Sequence, residues 1–112
     1  MNANEFPKAK VIRFKDEVGY QQGAIVSKTI TKNNSGNVSL FAFSKGEALS
    51  EHTAAFDAMI QVLDGKAEVL INGQSFDLVE GDTIIMPANI PHAVKATEDF
   101  KMLLTMIKEV AQ

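Results

Sequence analysis

The two histidines are the residues of this chain that could take part in the most kinds of chemistry. His52 lies in the stretch SEHTAAFDA with Asp57 close behind it, and His92 lies in the stretch IPHAVKAT. A neutral imidazole can ligate a metal ion, and it can exchange a proton near neutral pH. Both histidines are therefore candidates for metal binding, for catalysis and for polar contact with an organic ligand, and each can equally be a structural residue.

The absence of cysteine narrows the metal chemistry. With no cysteine in the chain, disulfides, thiolate metal sites and a cysteine nucleophile are excluded. We therefore expect any metal site here to use nitrogen and oxygen donors.

Length and charge restrict the class of protein. A chain of 112 residues, of which 46% are hydrophobic, suffices for one domain with a buried core. The net charge is -3 and the lysines and arginines form no cluster, so we expect no nucleic-acid partner.

The N-terminal stretch lacks the apolar region of a secretory signal, and MLLTMI is too short to cross a bilayer. We therefore expect a cytoplasmic protein with no membrane partner.

The elements that must position the histidines are predicted to be β-strands. Glycine-containing turns recur at short intervals between β-branched and aromatic runs, and no segment sustains a helical period. This pattern predicts a single all-β domain over residues 1–112, with its core at about 10–108 and a flexible segment over 1–9. The predicted strands are KVIRF, AIVSKTITK, NVSLFAF, DAMIQVL, KAEVLI, QSFDLV, DTIIMP, HAVKAT and KMLLTMIK.

Two dipeptides predict tight hairpins. Asp64-Gly65 and Asn72-Gly73 suit two-residue type I′ turns, in which both residues need a positive φ. The resulting registers leave Glu68 outside, and the alternation in HAVKAT turns His92 inward. The same registers place one continuous apolar set inside, namely Ala58, Ile60, Val62, Ala67, Val69, Ile71, Phe76 and Leu78.

The spacing of glycines, proline and histidines matches two known signatures. The residues that fall in place are Gly46, His52, Gly65, Gly81, Pro87 and His92. Over residues 40–107 the chain thus resembles the cupin superfamily. The resemblance implies a cupin-type jelly-roll barrel, also called a double-stranded β-helix, with a pocket between its two sheets.

The sequence departs from the metal-binding pattern of that family. In metal-binding cupins, two histidines and a glutamate of the first motif and one histidine of the second form the usual ligand set. Here Ala54 takes the place of the second histidine and Ala58 that of the glutamate, or Met59 under the longer spacing. The resemblance therefore implies a degenerate site with His52 and His92 as its metal candidates.

We expect this degenerate site to hold metal weakly. No cofactor is expected, and a divalent ion such as Zn, Ni, Mn or Fe should be bound with an occupancy well below one per chain. The residues that could replace the missing donors are Glu47, Glu51, Thr53 and Asp57.

The leading hypothesis is a small metal-poor cupin whose barrel binds a small, largely apolar organic molecule. Replacing a histidine and a glutamate by alanines makes a pocket larger and less polar, which suits ligand binding. The predicted pocket consists of His52, Ala54, Ala58, Ile60, His92 and Val94. Four methionines are predicted mainly as core residues, with a ligand cavity as the alternative, namely Met59, Met86, Met102 and Met106.

The alternative hypothesis is an enzyme. His52 and His92 could act as acid and base in a metal-independent isomerase, epimerase or lyase, or a rebuilt metal site could support a dioxygenase. The sequence leaves open whether the protein is an enzyme. A homodimer is also predicted, because AIVSKTITK and KMLLTMIK carry apolar residues on both faces.

Overall fold

Seven antiparallel strands make up the fold. The structure is a computed structural model that describes residues 6–108. A short 3₁₀ turn, Phe14–Asp16, precedes the strands. The strands are β1 Ile25–Asn33, β2 Gly36–Phe43, β3 Ala48–His52, β4 Ala58–Ile71, β5 Gln74–Val79, β6 Thr83–Met86 and β7 His92–Ile107.

Two long strands, β4 and β7, run through both sheets of the barrel. The first half of β4 pairs with the second half of β7, and the second half of β4 pairs with the first half of β7. One sheet therefore has the order β1-β2-β7-β4-β6 and the other the order β3-β7-β4-β5. This arrangement confirms the predicted all-β jelly-roll barrel.

The core lies between the two sheets. Its largest fully buried side chains come from β2, β4 and β7, and they include Phe43, Ile60, Phe100 and Met102. The rings of Phe43 and Phe100 stack with their centroids 4.6 Å apart. The predicted inward set holds, since six of its eight members are buried and Ile71 and Phe76 pack against the same cluster.

The hairpin at Asn72-Gly73 is confirmed, and the one at Asp64-Gly65 is wrong. Asn72 and Gly73 both have a positive φ, and Ile71 pairs with Gln74 as predicted. At Asp64-Gly65 the chain continues as β4, with shifts in its register to β7 on either side. This is a β-bulge: an extra residue bends the strand so that it passes from one sheet to the other.

The predicted set of strands needs three further corrections. KVIRF forms no strand, and its last residue begins the 3₁₀ turn. HAVKAT and KMLLTMIK are the two halves of β7, joined without a turn. The strand β3, which ends at His52, was not predicted because its sequence ALSEH lacks an apolar alternation.

The N-terminal segment covers part of the outer face of the first sheet. Phe14 and the buried Val18 pack with Leu40 and Ala42 in a second apolar cluster, which Phe6 also joins. The Tyr20 hydroxyl donates a 2.6 Å hydrogen bond to the Asp64 carboxylate, and the Lys15 ammonium lies 3.5 Å from the same group. Residues 1–5 of the predicted flexible segment lie outside the described residues. Within residues 6–108 no helix is long and apolar enough to span a bilayer.

Candidate functional site

The strands β3 and β7 bring the two histidines together. His52 and His92 are directly paired across these strands, and a register irregularity in β3 separates this pair from the regular pairing at Leu49. Their rings meet edge to face with centroids 4.4 Å apart. The environments of the two rings differ, because His52 is exposed and His92 is 4% exposed.

Backbone carbonyls fix which nitrogen carries the proton when each ring is neutral. The Nδ1–H group of His52 donates to the Ser50 carbonyl at 2.8 Å, and that of His92 donates to the Ile90 carbonyl at 3.2 Å. A carbonyl oxygen only accepts, so the proton must sit on Nδ1. The Nε2 lone pair of each neutral ring is then available to a ligand, as in histidines that bind metals.

Burial lowers the pKa of the His92 imidazole. Removal from water disfavours the charged ring, and the nearby His52 acts in the same direction, while the hydrogen bond to the Ile90 carbonyl opposes both. His92 is therefore a neutral acceptor at pH 7.

A small apolar cavity lies beside the histidine pair. Its volume is about 50 Å³. All six residues of the predicted pocket line it, together with five further side chains; the lining is His52, Ala54, Ala58, Ile60, His92, Val94, Leu49, Met86, Met102, Leu104 and Met106. The two imidazoles are the only polar side chains among these lining residues.

Three methionines line the cavity, and two of them flank Ala58. Ala58 is paired with Met86 on one side and with Met106 on the other. Met86 and Met102 are almost fully buried, and Met106 is half-buried. Methionine is long and flexible, so it fills irregular gaps of this kind. The sequence carried a signal for Met102, Leu104 and Met106, because their alternation places them on one face of a strand.

The residues of this cavity do not fit a divalent metal ion. Ala54 and Ala58 offer no lone pair, and none of the four candidate replacement donors lines the cavity. Asp57 directly precedes Ala58 in the sequence, but it lines a groove on the outer face of the barrel. Its carboxylate accepts a hydrogen bond from the Ala88 amide at 2.8 Å. Within residues 6–108 no three histidine, aspartate or glutamate side chains are placed to hold a metal ion.

Two loops close the barrel beside the site. The loop that follows His52 and the loop that precedes His92 are joined by a 2.7 Å hydrogen bond from the Asn89 amide to the Ala54 carbonyl. Asn89 has a φ of 63°, the left-handed conformation expected for an asparagine at this turn. The two loops next to the histidine pair are therefore held together by a backbone hydrogen bond.

Two antiparallel sheets that enclose one apolar core define a barrel of the jelly-roll class. The family model described as "Cupin domain" matches residues 39–108, which is more than half of the chain. The chain belongs to the cupin family.

Known proteins resemble the chain over nearly its whole length. A conserved Streptococcus pyogenes protein of unknown function has 37% identity and a TM-score of 0.90, with 95% of this chain and 93% of that one covered. A cupin superfamily protein from Desulfitobacterium hafniense has 26% identity and a TM-score of 0.87, with 92% and 94% covered. An uncharacterized protein of Aquifex aeolicus is 26% identical, with 90% of this chain and 85% of that protein covered.

Proposed function

We propose that this cupin binds a small organic molecule at the histidine end of its barrel. The ligand's polar group contacts His52 and His92, and its apolar part enters the cavity beside Ala58. The observation that carries this proposal is the pair of imidazoles, each with an available Nε2, at an otherwise apolar cavity.

The cavity volume restricts the ligand. About 50 Å³ is well below the several hundred Å³ of a pocket for a drug-sized molecule. A ligand larger than a few atoms requires the methionine side chains to change rotamer, which their unbranched chains permit. The ligand class is therefore small alcohols and phenols with a compact apolar part, because their hydroxyl groups can donate to the Nε2 lone pairs.

Binding of such compounds tests the proposal. We expect members of a panel of short alcohols and phenols to shift the imidazole NMR signals of the protein at pH 7.5. His52→Ala and His92→Ala should each weaken binding, whereas Thr97→Ala, on the exposed side of β7, should not. A panel that perturbs neither imidazole would contradict the proposal.

Acid–base catalysis is the second candidate function. It is favoured by the unequal burial of the two rings, because the lowered pKa of His92 makes it a base at neutral pH while His52 remains open to solvent. Histidine-dependent exchange of a bound ligand's carbon-bound hydrogen with deuterated water would support this function. Binding without exchange would contradict it.

A further inference from the structure

We propose that the cavity is a copper(I) site in which methionine thioethers complete the coordination begun by the two imidazoles. The cavity fits a divalent ion poorly, because no carboxylate lines it. The copper(I) ion would occupy the same cavity as the organic ligand and compete with it, but its binding does not depend on that ligand.

The donor set selects a soft ion. The cavity joins His52 and His92 to Met86, Met102 and Met106, and no carboxylate lines it. Imidazole and thioether ligands suit copper(I), whereas ions such as Mn²⁺ and Mg²⁺ require oxygen donors. The absence of cysteine removes thiolate sulfur, but the thioether sulfur of methionine remains available as a soft ligand.

The pairing of the strands places the thioethers where the carboxylate is missing. Met86 of β6 and Met106 of β7 flank Ala58 on its two sides. In the family pattern the position of Ala58 carries the glutamate ligand. Two methionine side chains therefore flank the position at which this chain lacks that carboxylate.

Charge favours the monovalent ion. The lining offers no negative group to neutralise a cation. The Born cost of burial rises with the square of the charge, so a divalent ion costs about four times as much as a monovalent ion of equal size. The volume of about 50 Å³ is large enough for a single ion.

The apolar lining also disfavours oxidation of the ion. Copper(II) prefers tetragonal nitrogen and oxygen ligands, and the surrounding leucine, isoleucine and valine side chains supply none. Copper(I) accepts the irregular geometries that flexible methionine side chains can form.

An anaerobic titration with copper(I) and a competing chromophoric chelator tests the site. We expect the protein to remove one copper(I) ion per chain from the chelator, and to bind Zn²⁺ and Mn²⁺ at least 100-fold more weakly, about 2.7 kcal/mol. Met106→Leu and the double variant Met86→Leu/Met106→Leu should lower the affinity at least tenfold. Met59→Leu is the matched control, because Met59 is adjacent to Ala58 in β4 but lines the outer groove.

Leucine conserves the volume of methionine closely enough for these variants to fold, and thermal unfolding of the copper-free proteins checks this. X-ray absorption of the copper-loaded protein should show sulfur scatterers that the double variant loses. Retention of copper by the chelator would overturn the proposal. So would equal affinities in Met59→Leu and the double variant, which would mean that the imidazoles bind copper without the thioethers. Because copper is added alone, failure of this titration is separate from failure of the organic panel.

Discussion

The His92 ring is placed in an environment that opposes its protonation. It is buried beside an apolar cavity, and its neighbour in the pair is a second imidazole rather than a carboxylate. A proton on His92 therefore loses solvation and gains no opposite charge. The lowered pKa of His92 makes this ring a weak binder of protons and leaves its Nε2 lone pair available near neutral pH.

The first prediction concerns the pH dependence of stability. The lowered pKa of His92 means that the unfolded chain binds this proton more readily than the folded chain. The contribution to the free energy of unfolding is fully present above the reference pKa of 6.5 and is lost as the pH falls through the folded-state pKa. Urea unfolding of the wild type should show this loss, and His92→Gln should show a smaller dependence in the same pH window. Parallel curves for the two proteins would contradict the prediction.

The second prediction restores the missing metal ligands. Ala54→His together with Ala58→Glu should raise the affinity for Zn²⁺ by orders of magnitude, because ligand number and geometry determine such sites. The gain should fade as the histidines protonate at acidic pH. The control adds the same acidic side chain outside the cavity: Ala54→His with Ala55→Glu, at an exposed position on the outer groove. Calorimetry that finds equal affinities for the two double variants would argue against the assigned direction of Ala58.

The bulge in β4 is the element that makes the barrel possible. Val62 and Ala67 are both buried although five positions separate them, so the inward face changes parity between them. The bulge at Asp64-Gly65 produces this change while the strand continues into the second sheet. The side chains of Lys15 and Tyr20 hold the N-terminal segment against the bulge, and the Tyr20 hydrogen bond lowers the pKa of Asp64.

The third prediction tests the bulge through its glycine. Gly65 has a φ of 77°, and a Cβ at this position would collide with the Asp99 carbonyl. Gly65→Ala should therefore lower the free energy of unfolding by at least about 2 kcal/mol, from the left-handed backbone and the clash together. Gly19→Ala is the control, since a Cβ there meets nothing within 4 Å. Equal stabilities of the two variants in chemical denaturation would contradict the prediction.

The change of parity between Val62 and Ala67 limits what the sequence can predict about β4. A two-residue hairpin at Asp64-Gly65 would bury the same side chains as the bulge, so the burial pattern alone could not distinguish them. What differs is the partner of β4, which is the distant β7 in both halves. The resemblance in motif spacing implied the cupin barrel, and the predicted strand registers turned Ala58 inward, where it is buried. The methionine neighbours of Ala58 depend on pairing between distant strands, which no local pattern determines.

At the scale of the whole molecule, the outer face of the first sheet is only partly covered. The N-terminal segment shares an apolar cluster with Val26, Ile30 and Leu103, which are among the apolar residues on which the homodimer was predicted. Farther along the same face an open groove of about 470 Å³ remains, lined by Phe56, Met59 and Thr105 among others. Ile85 and Ile107 also line the groove and are 59% and 71% exposed.

The fourth prediction assigns this groove to a second copy of the chain. A face that has both projecting isoleucines and an apolar groove can pair with itself about a two-fold axis, each isoleucine entering the other copy's groove. Light scattering should therefore detect a dimer, and Ile85→Asp with Ile107→Asp should convert it to a monomer. Val11→Asp is the control, because Val11 is 96% exposed outside the groove. A monomeric wild-type protein at micromolar concentration would contradict the prediction.

The central claim is that the two imidazoles present unprotonated Nε2 atoms to a ligand, and long-range ¹H–¹⁵N NMR measures this most directly. The chain has two histidines, so the spectrum contains two ring systems and their assignment needs one variant, His52→Ala. At pH 7.5 we predict a protonated Nδ1 and an unprotonated Nε2 in His92, and the same tautomer in the neutral form of His52. Addition of copper(I) or of a binding member of the organic panel should shift the Nε2 signals of both rings. A proton on Nε2 of His92, or a ligand that leaves both Nε2 signals unmoved, would contradict the account.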